Sequence, residues 1–180
     1  MKPIDELMHE HEIILHMLTG AEKQVLSIRN DRKIDVRKIQ DIIEFSRNFT
    51  DKCHHAKEER HLFVKLQERG MSKDQGPIAV MLHEHDTGRE LIRGIEISLI
   101  QYRTGKTEML ERIVDKLQQY IDLLRSHIAK ENNILFPMGD KMLSMEDKQM
   151  LEQSFKIVEE KEIGAGEHEK YHRLAHEISG

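Results

Sequence analysis

The chain has 180 residues, 38% hydrophobic and 34% charged, with a formal net charge of −5 spread over both signs. That composition suits one helix-rich globular domain with a sizeable core and excludes the basic footprint of a nucleic-acid binder. No apolar run approaches the about twenty residues of a membrane span, and no secretory signal is recognisable, while the single Cys53 rules out an internal disulfide and points to a reducing cytoplasm.

Helical periodicity dominates, and no segment alternates as a strand does. The first predicted helix runs from about Ile4 to Arg29, just after Pro3, and Asn30 to Lys33 reads as a turn. The second runs from about Ile34 to Arg69, with Gly70 as its C-terminal cap. After the loop 70-GMSKDQGP-77, Pro77 opens a third helix that reaches about Tyr102. Gly105 marks a short connection to a fourth helix, about Thr107 to Phe136. Ser144 and the acidic residues behind it resemble the start of a shorter fifth helix, ending near Lys161. Gly164 and Gly166 then break the chain before a last helix, 167-EHEKYHRLAHEI-178. Long helices joined by short connections predict an all-α fold. The expected architecture is an up-down-up-down four-helix bundle over residues 1–142, with a short helical extension, residues 143–180, packed on it.

An internal repeat runs through the first four helices. The run 7-LMHEH-11 returns as 81-MLHEH-85, and 54-HHAKE-58 returns as 127-HIAKE-131. A helical hairpin therefore occurs twice. Each copy offers one His from its first helix and a His-x-x-x-Glu pair from its second.

Residues i and i+4 share one helix face, so His127 and Glu131 can point at the same place. Imidazole and carboxylate together suit iron, manganese or zinc. Two such pairs, plus a His from each remaining helix, put four His and two Glu at the centre, and a bridging carboxylate from each pair could hold two metal ions. On the fourth helix Val114, Leu117, Ile121, Leu124, Ile128, Leu135 and Met138 follow a core spacing, and Glu131 falls where a core residue belongs. A bare carboxylate there is costly unless paired or bound to a metal. One His-x-x-x-Glu alone would read as a surface hydrogen-bonded pair. Two matched copies, each preceded by His-Glu-His at nearly the same distance, read as a site.

The runs 80-VMLHEHDTGREL-91, 54-HHAKEERHLF-63 and 127-HIAKENNILFP-137 resemble the hemerythrin-like, or HHE cation-binding, family over roughly residues 4 to 140. The resemblance implies a non-haem centre of two iron ions held in a four-helix bundle by His11, His54, Glu58, His85, His127 and Glu131. It implies oxygen or nitric oxide as the small gaseous ligand, or a role in sensing iron. Marine-worm hemerythrin carries a His-x-x-x-His pair on its third helix, where this chain has Met81 and Arg89 around His85. That departure argues against simple oxygen carriage and makes the chain more similar to bacterial di-iron relatives linked to nitric oxide and iron–sulfur damage. A peroxidase-like or nitric-oxide-reducing enzyme and a metal-stabilised, zinc-holding interaction domain are the competing readings. No flavin or iron–sulfur module identifies a redox partner, and neither nucleic acid nor membrane is expected as a partner.

Two registers compete at 54-HHAKEE-59. Upstream, the core positions Ile42, Phe45 and Phe49 keep phase with His55 and Glu59. Downstream, the Leu-Phe pair after His54 matches Leu135-Phe136 after His127. With the Ala-Lys-Glu identity and the family pattern, the second argument selects His54 and Glu58 and leaves Glu59 at the surface. A local widening of the helix would reconcile both phases and turn His55 inward as a further ligand. His168 is another candidate, brought by the tail motif 164-GAGEHEKYH-172, with His172 four residues on. The alternative is a tail that packs through Tyr171, Leu174 and Ile178 with its His residues in water. His9, His83, His16, His61 and His176 read as surface residues, Cys53 as a small buried thiol, and Met8, Met17, Met81, Met109, Met138 and Met142 as core filler.

Overall fold

The structure is a computed structural model describing residues 2–164 and 167–180, so Gly166, expected at the break before the last helix, lies outside the described residues. The described residues are helical, with no strand among them. Helix α1 is Pro3–Asp31, with Pro3 in its first turn and Arg32 closing it in the left-handed region (φ 54°). Helix α2 covers residues 36–68. It starts as Val36–Phe45 behind the Asp35 cap, widens into π-helical turns at Ser46–His55 and Glu58–Leu62, and closes as Phe63–Glu68. Helix α3 is Pro77–Arg103. Helix α4 covers residues 109–142, with a π-helical turn at Glu131–Leu135 between Met109–Lys130 and Phe136–Met142.

Helix α5, Met145–Val158, opens on the expected Ser144 cap. The Ser144 hydroxyl accepts from the Asp147 N–H, and the Asp147 carboxylate accepts from the Ser144 N–H, a reciprocal capping box. Helix α6, Glu167–Ser179, follows Gly164, whose φ of 95° is open only to residues without a Cβ penalty.

Helix α3 packs along α4, α1 along α4, and α6 lies over α1 and α2. The core is divided. One apolar cluster contains Ile14, Met17, Phe45, Phe49, Ile95 and Leu117; the other contains Leu7, Leu62, Phe63, Met81, Leu135 and Phe136. Helices α5 and α6 each join one of them, Leu151 and Phe155 the second and Tyr171, Ala175 and Ile178 the first. The expected cores of the second and fourth helices are buried except at Met138, which is 43% exposed. The π-helical turn at Glu131–Leu135 explains it: one extra residue per turn advances the phase, so Phe136 and Gly139 face inward instead. Met8 is likewise exposed, whereas Met17, Met81 and Met109 are core.

Candidate metal centre

Between the two apolar clusters each long helix turns a polar group inward. His11 of α1, His54 and Glu58 of α2, His85 of α3, and His127 and Glu131 of α4 are each at most 1% exposed. Their donor atoms form two adjoining groups, His11–His54–Glu58–Glu131 and His55–Glu58–His85–His127, with the atoms of each within 4.8 Å of one another. Glu58 belongs to both. Glu131 also reaches across, 3.1 Å from His11 Nε2 and 3.2 Å from His127 Nε2. His55 is buried and stacks on His85 with ring centroids 3.7 Å apart. The π-helical turns allow neighbouring His54 and His55 to face inward together, which an α-helix, at about 100° per residue, would hinder.

Four of the five rings are held from behind, while His55 Nδ1 makes no hydrogen bond and faces Asp51 at 3.6 Å. His11 Nδ1 lies 2.7 Å from Asn132 Oδ1, His54 Nδ1 2.8 Å from Glu10, His85 Nδ1 2.7 Å from Glu59, and His127 Nδ1 2.9 Å from Glu84. A carboxylate, or for His11 an amide oxygen, beside Nδ1 places the proton there and aims the Nε2 lone pair at the centre, the usual support of a metal-ligating imidazole. The supports follow the repeat. Glu10 and Glu84 are the middle letters of the two His-Glu-His runs, and each also pairs with the Lys of its Ala-Lys-Glu run, Lys57 and Lys130. Glu59 and Asn132 occupy matching places and serve the His of the opposite copy.

Of these supports the sequence singles out only Glu59, and places it at the surface; the repeated Glu and Lys letters are the signal that marks Glu10 and Glu84. Glu59 is only partly exposed and engages both His85 and Arg89, rather than standing free at the surface. The Lys57 side chain is fully buried among Glu6, Glu10 and Glu159, at 2.7, 2.5 and 2.7 Å. That network also explains where His168 stops. The structure does not bring His168 into the central groups: its Nε2 lies 3.7 Å from Glu10, whose other oxygen is taken by His54 Nδ1, so Glu10 stands between it and the site. His172 lies beside His176, and His16, expected in solvent, is half-buried beneath α6 with its Nε2 2.7 Å from the Ser179 hydroxyl. Cys53 is buried, and burial pushes its thiol far above the ordinary range.

The donor set fits a cation. Among the described residues, Nε2 of His11 and His54 and all four oxygens of Glu58 and Glu131 are buried without a hydrogen-bond partner. Such groups are costly unless something charged completes them. His85 Nε2 and His127 Nε2 approach within 3.2 Å. Burial pushes His54, His55 and His85 below the usual imidazole range, towards the neutral form that binds metal. Against burial, Glu131 and Glu84 push His127 up to about 9, so a metal at its Nε2 must displace a proton. Burial and the Glu131 charge drive the Glu58 carboxyl well up, whereas His127 and His11 hold Glu131 well down despite its burial. Two carboxylates in one dry space stay ionised together only beside positive charge.

An all-helical protein with imidazoles and carboxylates converging between two apolar clusters belongs to the class of metal-binding helical proteins. Residues 2–139 match the Hemerythrin HHE cation binding domain, and the chain belongs to that family, whose members bind iron or another metal cation. An uncharacterized protein of Mycobacterium tuberculosis is 22% identical over 89% of this chain and 62% of its own length. The iron-sulfur cluster repair protein YtfE of Edwardsiella ictaluri is 34% identical over 48% of this chain and 41% of its own. The corresponding Escherichia coli O81 protein is 34% identical over 47% and 39%. The chain thus spans about three fifths of the length of the mycobacterial relative, and less of the YtfE proteins. No solved structure matches it significantly. No described helix is long and apolar enough to cross a membrane.

Proposed function

We propose that the two adjoining groups hold a pair of non-haem iron ions within an up-down-up-down bundle of α1–α4, and that the centre binds or senses oxygen or nitric oxide. Residues 143–180 act as an extension that closes the α1–α2 side. His11, His54, Glu58 and Glu131 would hold one ion, and His55, His85 and His127 with Glu58 the other, Glu58 being common to both groups. The observation that carries this reading is the unequal count: three imidazoles converge on one side and two on the other. A set of four donors leaves an octahedral ion with open positions, which small-molecule binding requires and a saturated structural site lacks. When bound, iron would supply electron exchange and ligation of a small molecule. The chain's own part is to aim the Nε2 atoms, to exclude bulk water through the two apolar clusters, and to offset the carboxylate charge. Manganese or zinc would fit the same donors, and zinc would make the centre structural.

The likeness to proteins named for iron–sulfur cluster repair favours one second reading, a di-iron redox protein of that kind. Protein purified without air should contain about two irons per chain and change its absorption spectrum on exposure to air or nitric oxide. His127→Ala should remove most of the metal. Absence of iron, or a spectrum indifferent to both gases, overturns the proposal, and steady consumption of peroxide with an electron donor would favour the redox enzyme.

A further inference from the structure

A cavity of about 110 Å³ lies between α2, α3 and α4, against the roughly 10–15 Å³ that one water requires. Its inner end is the His55 ring, which stacks on His85. Its walls include Ser46, Thr50, Tyr120 and Gly88, and Arg47 and Arg89, both partly exposed, stand at the solvent side. Three features mark it as built for a ligand. Ser46 Oγ and Thr50 Oγ1 are buried without a well-formed hydrogen bond, and the buried Tyr120 phenol within reach of both can match only part of their hydrogen-bonding capacity. Unmatched hydroxyls of this kind are uncommon in a folded interior.

The second feature is the backbone. In an α-helix, residues 46 and 55 would fall about 180° apart. The wider turns of Ser46–His55, with about 4.4 residues each, bring Ser46, Thr50 and His55 onto one face. The third is Gly88. A Cβ there would meet Tyr120 Cε2 at 3.7 Å and Leu123 Cδ2 at 3.8 Å, ordinary contacts, so packing does not demand glycine and its missing side chain leaves the cavity open.

We propose that this cavity is the entry and docking pocket for a small hydrogen-bond-accepting molecule of azide or peroxide size, which reaches the His55 side of the centre with Ser46, Thr50 and Tyr120 as its donors. A bound acceptor would give those hydroxyls the partner they lack. The Asp51 carboxylate also lines the cavity, but it is engaged by Arg89 at 2.8 Å and faces His55 Nδ1 at 3.6 Å, so its charge is already countered. Arg47 is paired with Glu96 and Arg89 also with Glu59, so the solvent side is close to neutral and admits a small anion or a neutral peroxide alike.

The inference rests on the metal reading above, and its test separates the two. Azide binding to the iron-loaded full chain is followed by stopped-flow absorption, with iron content measured on the same samples. In the Thr50→Val/Tyr120→Phe double variant, which keeps shape and removes two donors, azide affinity should fall by about tenfold at unchanged iron content. Gly88→Leu, which fills the cavity, should slow azide association by about tenfold or more with a smaller change in affinity. Folded, iron-loaded variants with wild-type azide kinetics and affinity overturn the pocket and leave the metal reading standing, as does an iron-loaded wild type that binds no azide. A wild type without iron overturns both.

Discussion

At the scale of single residues, the centre depends as much on groups that never touch its middle as on the donors themselves. Glu84 accepts from His127 Nδ1 and pairs with Lys130, and hydrogen bonds from these two hold its carboxyl below the usual range against partial burial. Its loss frees the imidazole to rotate and weakens its basicity. Glu84→Ala should therefore lower metal affinity by roughly 10–100-fold with little change in fold, measured by competition against a chelator of known affinity. Wild-type affinity would show that packing alone orients His127. The donors were legible from sequence because a buried carboxylate breaks an apolar period, as Glu131 does. The supports were not, because Glu10 and Glu84 sit beside His11 and His85 in sequence yet serve His54 and His127 on other helices, a pairing no local pattern shows.

At the scale of elements, the tail is seated by two local devices. Gly20 of α1 lies under the end of α6: an added Cβ would stand 2.3 Å from the Ile178 carbonyl oxygen, a backbone atom that cannot turn aside. In an isolated helix Gly→Ala would gain up to about 1 kcal/mol. Here Gly20→Ala should instead destabilise by about 1–3 kcal/mol through overpacking and expose residues 167–179 to limited proteolysis; a more stable, equally resistant variant would refute the close approach. Asp147 seats α5. The Arg69 guanidinium, at 2.8 Å, and the Ser144 backbone and hydroxyl hold its carboxyl far below the usual range. A depressed carboxyl stabilises above its ordinary pKa and loses that contribution as pH falls towards its folded value. Melting temperature should thus fall more steeply below about pH 4 in the wild type than in Asp147→Asn, which should itself melt lower at neutral pH. Parallel pH profiles would count against this anchor.

At the scale of the whole molecule, the polar centre lies between two apolar clusters to which all six helices contribute, so metal and fold are linked. The folded chain collects five imidazoles and two carboxylates that the unfolded chain disperses. With free metal at about a thousand times Kd, binding adds about 4 kcal/mol, on the order of 10 °C in Tm for a chain of this size. Stripping the metal with a chelator should produce a drop of that order by calorimetry, reversed by adding ferrous iron without air. A Tm unmoved by chelation and reloading would mean that the centre adds nothing to stability.

The sequence by itself determined the helices, because their period, caps and glycine breaks are local. It also determined the doubled His and His-x-x-x-Glu pattern, because a repeat is visible without coordinates. The tertiary structure alone decided what lies across a helix interface: Asn132 behind His11, Glu59 behind His85, and Glu10 between His168 and His54. It also decided the helical phase at His54 and His55. A π-helical turn differs from an α-turn by one residue and carries no letter of its own, so only packed neighbours reveal which way the next side chain points.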